Sequence, residues 1–302
     1  MKAVCRIGVA RTAKPQTRSA MSHLAELGWM SMSDGVALRT RTWQRNADVP
    51  ARGCVLIVHG IGEHGERYAH VADQLNRWGF DVVAFDHFGH GESPGKRGTL
   101  TTPTRLLDDL AEVVDHVHAS MLEGQPLILL GHSMGGALAA RFVAERIRPA
   151  DGLVLSSPAI ASGMKAWQRM MASALAKIAP GFTIANGLPS DAISHDPNEV
   201  AAYRADPLVH DRVSGRLAQF VDASGAPVLD AAPAWQVQTL LMFAGSDRLV
   251  DAQGSRRFAR IAPKEMVVAQ EFPRHFHELF NELDRAPVFD TLKRWLDQRF
   301  PA

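Results

Sequence analysis

Residues 126–140 read PLILLGHSMGGALAA, which is an apolar run, a turn with glycine on both sides of a serine, and a helix start rich in small residues. The apolar run suits a strand buried on both faces, and the small residues let a helix pack closely against it. The pattern G-x-S-x-G at 131–135 therefore predicts a nucleophile elbow, a strained strand-to-helix turn that exposes a serine hydroxyl. Ser133 is the predicted nucleophile, and an inert serine in a tight turn is the alternative.

The same pattern occurs a second time, at residues 91–95, around Ser93. Ser93 does not follow a strand-like run directly. The residue after it is Pro94, which has no N–H to donate to a developing oxyanion. This second match is therefore interpreted as a loop.

Further apolar runs lie on both sides of the elbow, and stretches of helical periodicity separate them. This alternation predicts an α/β fold with a doubly wound, mostly parallel sheet. Buried strands are predicted at 55–58, 82–85, 127–130, 153–155, 240–243 and 266–269, and an edge strand at 36–43. Helices are predicted at about 66–78, 104–122, 134–147, 253–261 and 287–299.

Residues 161–232 interrupt the alternation, because they contain no convincing strand and carry five prolines. We expect them to form a helical insertion between two sheet strands, placed as a lid over the carboxyl ends of the strands. The α/β core is then expected at 28–160 and 233–302. Residues 1–27 are expected to be a disordered N-terminal extension.

The composition argues against several functions. Lys and Arg total 33 against 32 Asp and Glu, so a net charge of +1 gives no reason to expect a nucleic-acid partner. No apolar run approaches the roughly 18 residues of a membrane-spanning helix. Two cysteines cannot form a zinc cluster by themselves, and the histidines at 59, 64 and 87 lack regular ligand spacing, so no metal or other cofactor is predicted. A cytoplasmic protein, at most peripheral to a membrane, is expected.

The acid and the base of a triad of this kind follow the serine in chain order. Asp247 lies in a loop just after the apolar run 240–243 and is the favoured acid. Asp251 is the competitor, and its alternative role is a helix N-cap. Only His275 and His277 lie beyond Asp247, so one of them is the base, and position alone does not separate them.

The loop after the apolar run 55–58 reads His59-Gly60-Ile61-Gly62 and is the expected second part of an oxyanion hole. Its glycines let the backbone turn amide groups toward a pocket. The predicted donors are the N–H groups of Ile61 and of Met134, the residue after the nucleophile. The alternative is a glycine-rich turn that binds nothing.

Several motifs together resemble the monoacylglycerol lipases and bacterial lysophospholipases, which are serine hydrolases of the α/β-hydrolase fold. The resemblance covers about residues 30–300 and rests on HGIGEH at 59–64, DHFGHGES at 86–93, GHSMGG at 131–136, YRADPLV at 203–209 and GSD at 245–247. It implies Ser133 as nucleophile, Asp247 as acid and the insertion as an acyl-chain lid. The last family motif, an aromatic residue followed by His-Glu, matches Phe276-His277-Glu278, so the resemblance assigns the base to His277.

The activity that this resemblance implies is cleavage of a monoacylglycerol or lysophospholipid ester through an acyl-enzyme intermediate. The alternatives are a short-chain carboxylesterase or perhydrolase with the same triad, and a non-catalytic ligand-binding protein. A helical stripe in the insertion is expected either to pack on the core, or in part to face outward or line the acyl entrance. The lid is expected to touch a membrane or micelle surface transiently. The stripe contains Met164, Trp167, Met170 and Met171. The sequence does not predict an oligomeric state.

Overall fold

The computed structural model describes residues 25–302, and eight strands of this range form one sheet. Its strands are β1 (Glu26–Ser31), β2 (Ala37–Trp43), β3 (Gly53–Val58), β4 (Phe80–Phe85), β5 (Leu127–His132), β6 (Gly152–Ser156), β9 (Gln238–Ala244) and β10 (Val267–Phe272); two further strands, β7 (Thr183–Ala185) and β8 (Arg212–Ser214), form a separate ribbon. The strand order is β1-β2-β4-β3-β5-β6-β9-β10. Strand β2 pairs antiparallel with both of its neighbours, and the other neighbouring strands pair in parallel. The predicted mostly parallel sheet is confirmed.

Helices cover both faces of the sheet. They are α1 (Ala69–Arg77), α2 (Arg105–Ser120), α3 (Ser133–Ala144), α4 (Ala166–Ile178), α5 (Pro197–Ala205), α6 (Gly215–Ala231), α7 (Gln253–Ile261) and α8 (Ala286–Arg299), with short 3₁₀ turns at Gly65–Tyr68, Ser190–Ala192, Ala232–Ala234 and Leu279–Asn281. Within residues 25–302, none of these helices has both the length and the apolar character needed to cross a membrane.

The alternation of side chains along the central strands builds two cores. In β3, Leu56 and Val58 enter the cluster under α2 and α3, whereas Val55 and Ile57 enter the cluster under α1 and α8. Successive residues of a strand point to opposite faces, so a continuously apolar strand supplies both layers at once. Because they are buried on both faces, β3 and β5 lie at the centre of the sheet. Their carboxyl ends therefore lie at the middle of one sheet edge.

The structure corrects two predictions at the N-terminal side. The strand at 36–43 is not the edge of the sheet, because β1 pairs outside it, from Glu26↔Thr42 to Ser31↔Ala37. The predicted extension therefore reaches two residues too far into the fold, and residues 1–24 of that prediction lie outside the described residues. Strand β1 was missed because Leu27 and Trp29 face solvent and form no apolar run.

A third correction concerns the chain between β6 and β9, where no strand was expected. Strands β7 and β8 pair antiparallel there, from Thr183↔Ser214 to Ala185↔Arg212. They are only three residues long, too short for an apolar pattern to stand out. Residues 161–232 are called the insertion below.

Several contacts hold the insertion on the loops at the carboxyl ends of β3 and β4. His210 N–H donates to the Gly62 carbonyl at 2.9 Å, and Ser214 N–H donates to the Gly98 carbonyl at 2.8 Å. Asp206 pairs with the buried His64 at 2.8 Å. The insertion therefore lies over the edge of the sheet where the predicted site residues follow their strands.

Candidate active site

The nucleophile elbow forms at the junction of β5 and α3. Ser133 has φ of +54°, a left-handed conformation that a residue with a side chain rarely adopts. The turn is tight because Gly131 and Gly135 have no side chains. A Cβ on Gly131 would lie 2.5 Å from the Gly135 carbonyl oxygen, and one on Gly135 would lie 2.1 Å from the Val58 carbonyl oxygen. Ser133, the nucleophile predicted from the sequence, thus lies in a strained and sterically constrained turn.

The structure brings Asp247 and His277 together from two different loops. His277 Nδ1 lies 2.7 Å from Asp247 Oδ2, and both side chains are buried. Asp247 Oδ1 also accepts the N–H groups of Leu249 and Val250, at 2.8 and 3.0 Å. Asp251 is separate from the pair and accepts the Gln253 N–H at the start of α7.

The electrostatics of this pair favour an ionised acid beside the imidazole. Burial alone would lower the pKa of His277, but the Asp247 carboxylate outweighs it and raises that pKa above its ordinary value. Burial would likewise raise the pKa of Asp247, and the contact with His277 and the two backbone N–H groups lower it instead. His275, the other candidate base, lies with its Nε2 2.8 Å from the Asp284 carbonyl oxygen, away from Asp247.

Ser133 and His277 line the same cavity of about 30 Å³, without a direct hydrogen bond between them in this structure. Catalytic hydrogen bonds are often long before substrate binds. His132 also lines the cavity, its ring centroid 4.7 Å from that of His277. Burial and the nearby His277 lower the pKa of His132 to about 4, so His132 is neutral at physiological pH.

The loop at Gly60–Gly62 approaches the nucleophile closely. A Cβ on Gly60 would lie 3.2 Å from Ser133 Cβ, and Gly62 has φ of +76°. Gly60 N–H donates to Glu63 Oε1 at 2.6 Å, which folds the loop back on itself. Ile61 and Met134, the predicted oxyanion donors, line a cavity together with Ser133.

Ser93, in the second G-x-S-x-G match, is buried, and its hydroxyl makes two hydrogen bonds. Its Oγ donates to the Asp86 carbonyl at 2.6 Å and accepts the Arg39 N–H at 2.9 Å. These contacts fasten the loop after β4 to β2, a structural role.

A buried charged network next to the site was missed from the sequence. Arg67 donates to Glu63 at 2.6 Å and to both carboxylate oxygens of Glu278 at 2.7 Å, and Tyr68 donates to Glu63 at 2.7 Å. Arg67 holds the pKa of Glu278 down to about 2 against the effect of burial. The network joins the Gly60–Gly62 loop to the residue after His277. The spacing of Glu63 and Arg67 was visible in the sequence, but a partner 211 residues away from Arg67 was not.

Two of the histidines considered for a metal site, His59 and His87, pack as neutral rings. The ring centroids of His59 and His87 are 4.2 Å apart, and His59 Nε2 accepts the His87 N–H at 3.0 Å. Since His59 Nδ1 lies 2.8 Å from the Gly60 carbonyl oxygen, this ring carries its proton on Nδ1. Burial lowers the pKa of both rings.

A second, larger cavity of about 210 Å³ opens from Ser133 under α4. Its lining is mostly apolar and includes Ile61, Met134, Met164, Met171, Leu175, Leu188, Val213, Val221 and Leu249. Of the four residues predicted to contact the acyl chain, Met164 and Met171 line this cavity.

The other two, Trp167 and Met170, are 57% and 72% exposed and lie outside the lining of this cavity. The face of α4 toward the cavity carries Gln168, Ala172 and Leu175, and Met171 also lines the cavity. Trp167 and Met170 lie beyond the edge of that face, because successive helical residues are rotated by about 100°.

Comparisons with known proteins identify related chains. The family described as serine aminopeptidase, S33 (Hydrolase_4), matches residues 49–284. A monoacylglycerol lipase of Mycolicibacterium smegmatis is 35% identical over 87% of this chain and 93% of its own length. The crystal structure of a Paleococcus ferrophilus monoacylglycerol lipase superposes with a TM-score of 0.78 and 32% identity, over 87% of this chain and 99% of that one. A phospholipase of Bacillus subtilis is 28% identical over 85% of this chain and 99% of its own length.

Proposed function

The chain belongs to the serine aminopeptidase S33 family (Hydrolase_4), and from this membership we propose that it hydrolyses the ester bond of monoacylglycerols or lysophospholipids. Its fold is the predicted α/β-hydrolase fold, and it is a carboxylic ester hydrolase. The observation that carries the assignment of residues is the buried 2.7 Å contact between His277 and Asp247 beside the strained Ser133.

In the proposed reaction, His277 takes the proton of the Ser133 hydroxyl as Ser133 attacks the ester carbonyl. Asp247 holds the imidazole by its Nδ1–H and stabilises the imidazolium that forms. His277 then protonates the departing alcohol, and Ser133 keeps the acyl group as an ester. A water molecule, activated by the same imidazole, attacks this ester and releases the fatty acid.

The negative charge of each tetrahedral intermediate needs donors that are in place beforehand. We assign this role to the N–H groups of Ile61 and Met134. The support is the close approach of the Gly60 backbone to Ser133 and the bond from Gly60 N–H to Glu63, which turns the loop. Removing one donor of this kind typically costs about 10²–10³ in turnover.

The two cavities beside Ser133 suit the two halves of such a substrate. The cavity under α4 is mostly apolar and suits a hydrocarbon chain. The small cavity on the other side presents Glu63, Ser190 and Tyr203, polar groups that suit a hydroxyl-bearing alcohol. A short-chain ester would leave most of the apolar cavity unfilled, so we favour a long-chain substrate.

Residues 161–232 are the proposed lid, with α4 as its outer helix. Trp167, Met170 and Ile178 on α4 are 57%, 72% and 84% exposed, and Phe182 follows them at 53%. Apolar side chains on an exposed helix favour adsorption to a lipid surface. We propose that this surface touches membranes or micelles transiently, that no cofactor takes part, and that the protein works in the cytoplasm.

A hydrolysis panel tests the substrate class. It compares monoacylglycerols, lysophospholipids and p-nitrophenyl esters of increasing length, for wild type and Ser133→Ala. We expect turnover of the long-chain esters by wild type only, and labelling of wild type but not of Ser133→Ala by a fluorophosphonate probe. Labelling of Ser133→Ala at the wild-type rate would contradict the choice of nucleophile.

Vesicle sedimentation tests the lipid contact separately. Wild type and the double variant Trp167→Ser/Met170→Ser are mixed with phosphatidylcholine vesicles, and the bound fraction is measured. We expect weaker binding of the variant and unchanged hydrolysis of a water-soluble ester. Equal binding of both proteins would exclude this surface as the contact.

A further inference from the structure

Three side chains stack on the outer side of the Asp247–His277 pair. The rings of Phe276 and His195 lie nearly parallel, at 25°, with their centroids 3.6 Å apart. The guanidinium carbon of Arg248 lies 4.7 Å from the centroid of the same Phe276 ring. Phe276 directly precedes His277, Arg248 directly follows Asp247, and His195 comes from the insertion. The stack therefore joins the loop of the acid, the loop of the base and the insertion.

One buried carboxylate fastens two members of this stack. Glu282 Oε1 accepts the Phe276 backbone N–H at 2.5 Å and lies 2.9 Å from His195 Nδ1. Glu282 Oε2 accepts the His195 backbone N–H at 3.2 Å. The Glu282 side chain is almost fully buried, whereas His195 is 42% exposed. A buried carboxylate stays in place only when its oxygens are hydrogen-bonded, and here the backbone next to His277 supplies one donor.

The insertion also binds the backbone on the other side of His277. Glu278 N–H donates to the Ile193 carbonyl at 2.8 Å, and Ser194 Oγ donates to the Asn281 carbonyl at 2.7 Å. Residues 193–195 thus contact the His277 loop before and after the imidazole. The acid and base loops are also joined directly, because Gly245 N–H donates to the Phe272 carbonyl at 2.8 Å and Ser246 N–H donates to the His275 carbonyl at 3.3 Å.

We propose that His195, Phe276 and Arg248 are positioning residues that hold the His277 imidazole against Asp247. This inference rests on the triad proposed above. The contact between imidazole and carboxylate spans two loops that are 30 residues apart, so its geometry depends on what holds those loops together. None of the three side chains lines either cavity at Ser133, so they act on the reaction through His277 alone.

The stack makes the insertion part of the catalytic base's support. A displacement of residues 193–195 would remove His195 from Phe276 and the Ile193 carbonyl from Glu278 N–H, and would loosen the base. The insertion then serves two purposes: it covers the acyl cavity, and it holds the His277 imidazole in place beside Asp247.

The test uses the full chain and a water-soluble p-nitrophenyl ester, with active sites counted by fluorophosphonate labelling. In Phe276→Ala we expect kcat per active site to fall about tenfold with KM within about twofold, since a small misplacement of a catalytic group lowers the rate steeply. Arg248→Gln changes an exposed side chain and should give a smaller fall in the same direction. Phe276→Tyr keeps the ring and should restore kcat to within about twofold of wild type.

The pH profile supplies a readout that a merely structural role would not change. The charged or titratable groups around His277 are Asp247, Glu278, Glu63 and His132. Asp247 is the one that raises the pKa of His277 most, so a loosened contact should move the acid limb of kcat/KM to lower pH in Phe276→Ala. Arg274→Gln, an exposed arginine of the same turn, is the matched control and should keep the wild-type profile.

A Phe276→Ala enzyme with wild-type kcat per active site and an unmoved acid limb would overturn the proposal, even if its melting temperature fell. A wrong assignment of the triad itself would give a different result, because Ser133→Ala would then retain turnover. Inactive Ser133→Ala together with a normal Phe276→Ala refutes the positioning role alone.

Discussion

The neighbouring methionines of α4 offer a direct test of the acyl cavity. Met171 lines the cavity and is 42% exposed, while Met170 is 72% exposed and faces outward. Burying a whole methionine side chain contributes about 1.5–3 kcal/mol, so covering the exposed part of Met171 contributes about 1 kcal/mol. The matching surface of the acyl chain adds about as much again. Met171→Ser should therefore lower kcat/KM for a long-chain monoacylglycerol by about 2 kcal/mol, a factor of about 30.

The assay compares a long-chain monoacylglycerol, kept below its micelle concentration, with p-nitrophenyl acetate. A two-carbon acyl group fills little of this cavity, so its hydrolysis should change less than about twofold in Met171→Ser. Met170→Ser is the control and should leave both substrates unaffected in the absence of a lipid surface. An equal loss on both substrates in Met171→Ser, or a selective loss in Met170→Ser, would refute the assignment of the cavity.

Three further outcomes are expected from the site. His277→Ala should lose most of its turnover, whereas His275→Ala should stay within a few-fold of wild type in a steady-state assay; the reverse result would reassign the base. Ser93→Ala should keep fluorophosphonate labelling but lose about 1–3 kcal/mol of stability in urea unfolding, because the Asp86 carbonyl and a backbone N–H lose a buried partner. The acid limb of kcat/KM should lie above the ordinary histidine pKa of 6.5, because Asp247 raises the pKa of His277 and activity needs the neutral imidazole. Asp247→Asn should move that limb to lower pH as well as slowing the reaction.

The central strands and the elbow could be predicted because their signals are local. Strand β5 is buried at every position and begins with four apolar residues, and glycines lie on both sides of Ser133. One stretch of sequence therefore contains the buried strand, the tight turn and the helix start. The chain order then limited the base to two histidines. The resemblance to a known family chose His277 between them.

The rest depended on contacts that a linear pattern does not contain. Strand β1 turns Leu27 and Trp29 to solvent, so its alternation carried no core signal. Arg67 bridges two carboxylates that belong to distant loops, and the stack on Phe276 joins three separate segments. The sequence pattern also did not show which side chains of the α4 stripe face the cavity and which face solvent. A rotation of about 100° separates the cavity side of Met171 from the solvent side of Met170.

Helix α6 begins within the insertion and ends against the core. At its start, a Cβ on Gly215 would lie 2.6 Å from the Ala172 carbonyl oxygen of α4. Near its end, a Cβ on Gly225 would lie 1.8 Å from the Ile160 carbonyl oxygen, just after β6. Such close backbone approach leaves no room for sliding at either point.

This anchoring determines which part of the insertion can be exchanged between relatives. A graft that replaces the chain from α4 to β7 and keeps α6 would bring in a new acyl cavity wall while the glycine contact at Ile160 persists. A graft that also replaces α6 would have to supply a matching glycine at position 225. The natural unit for recombining substrate preference is therefore the stretch ahead of α6, rather than the whole insertion.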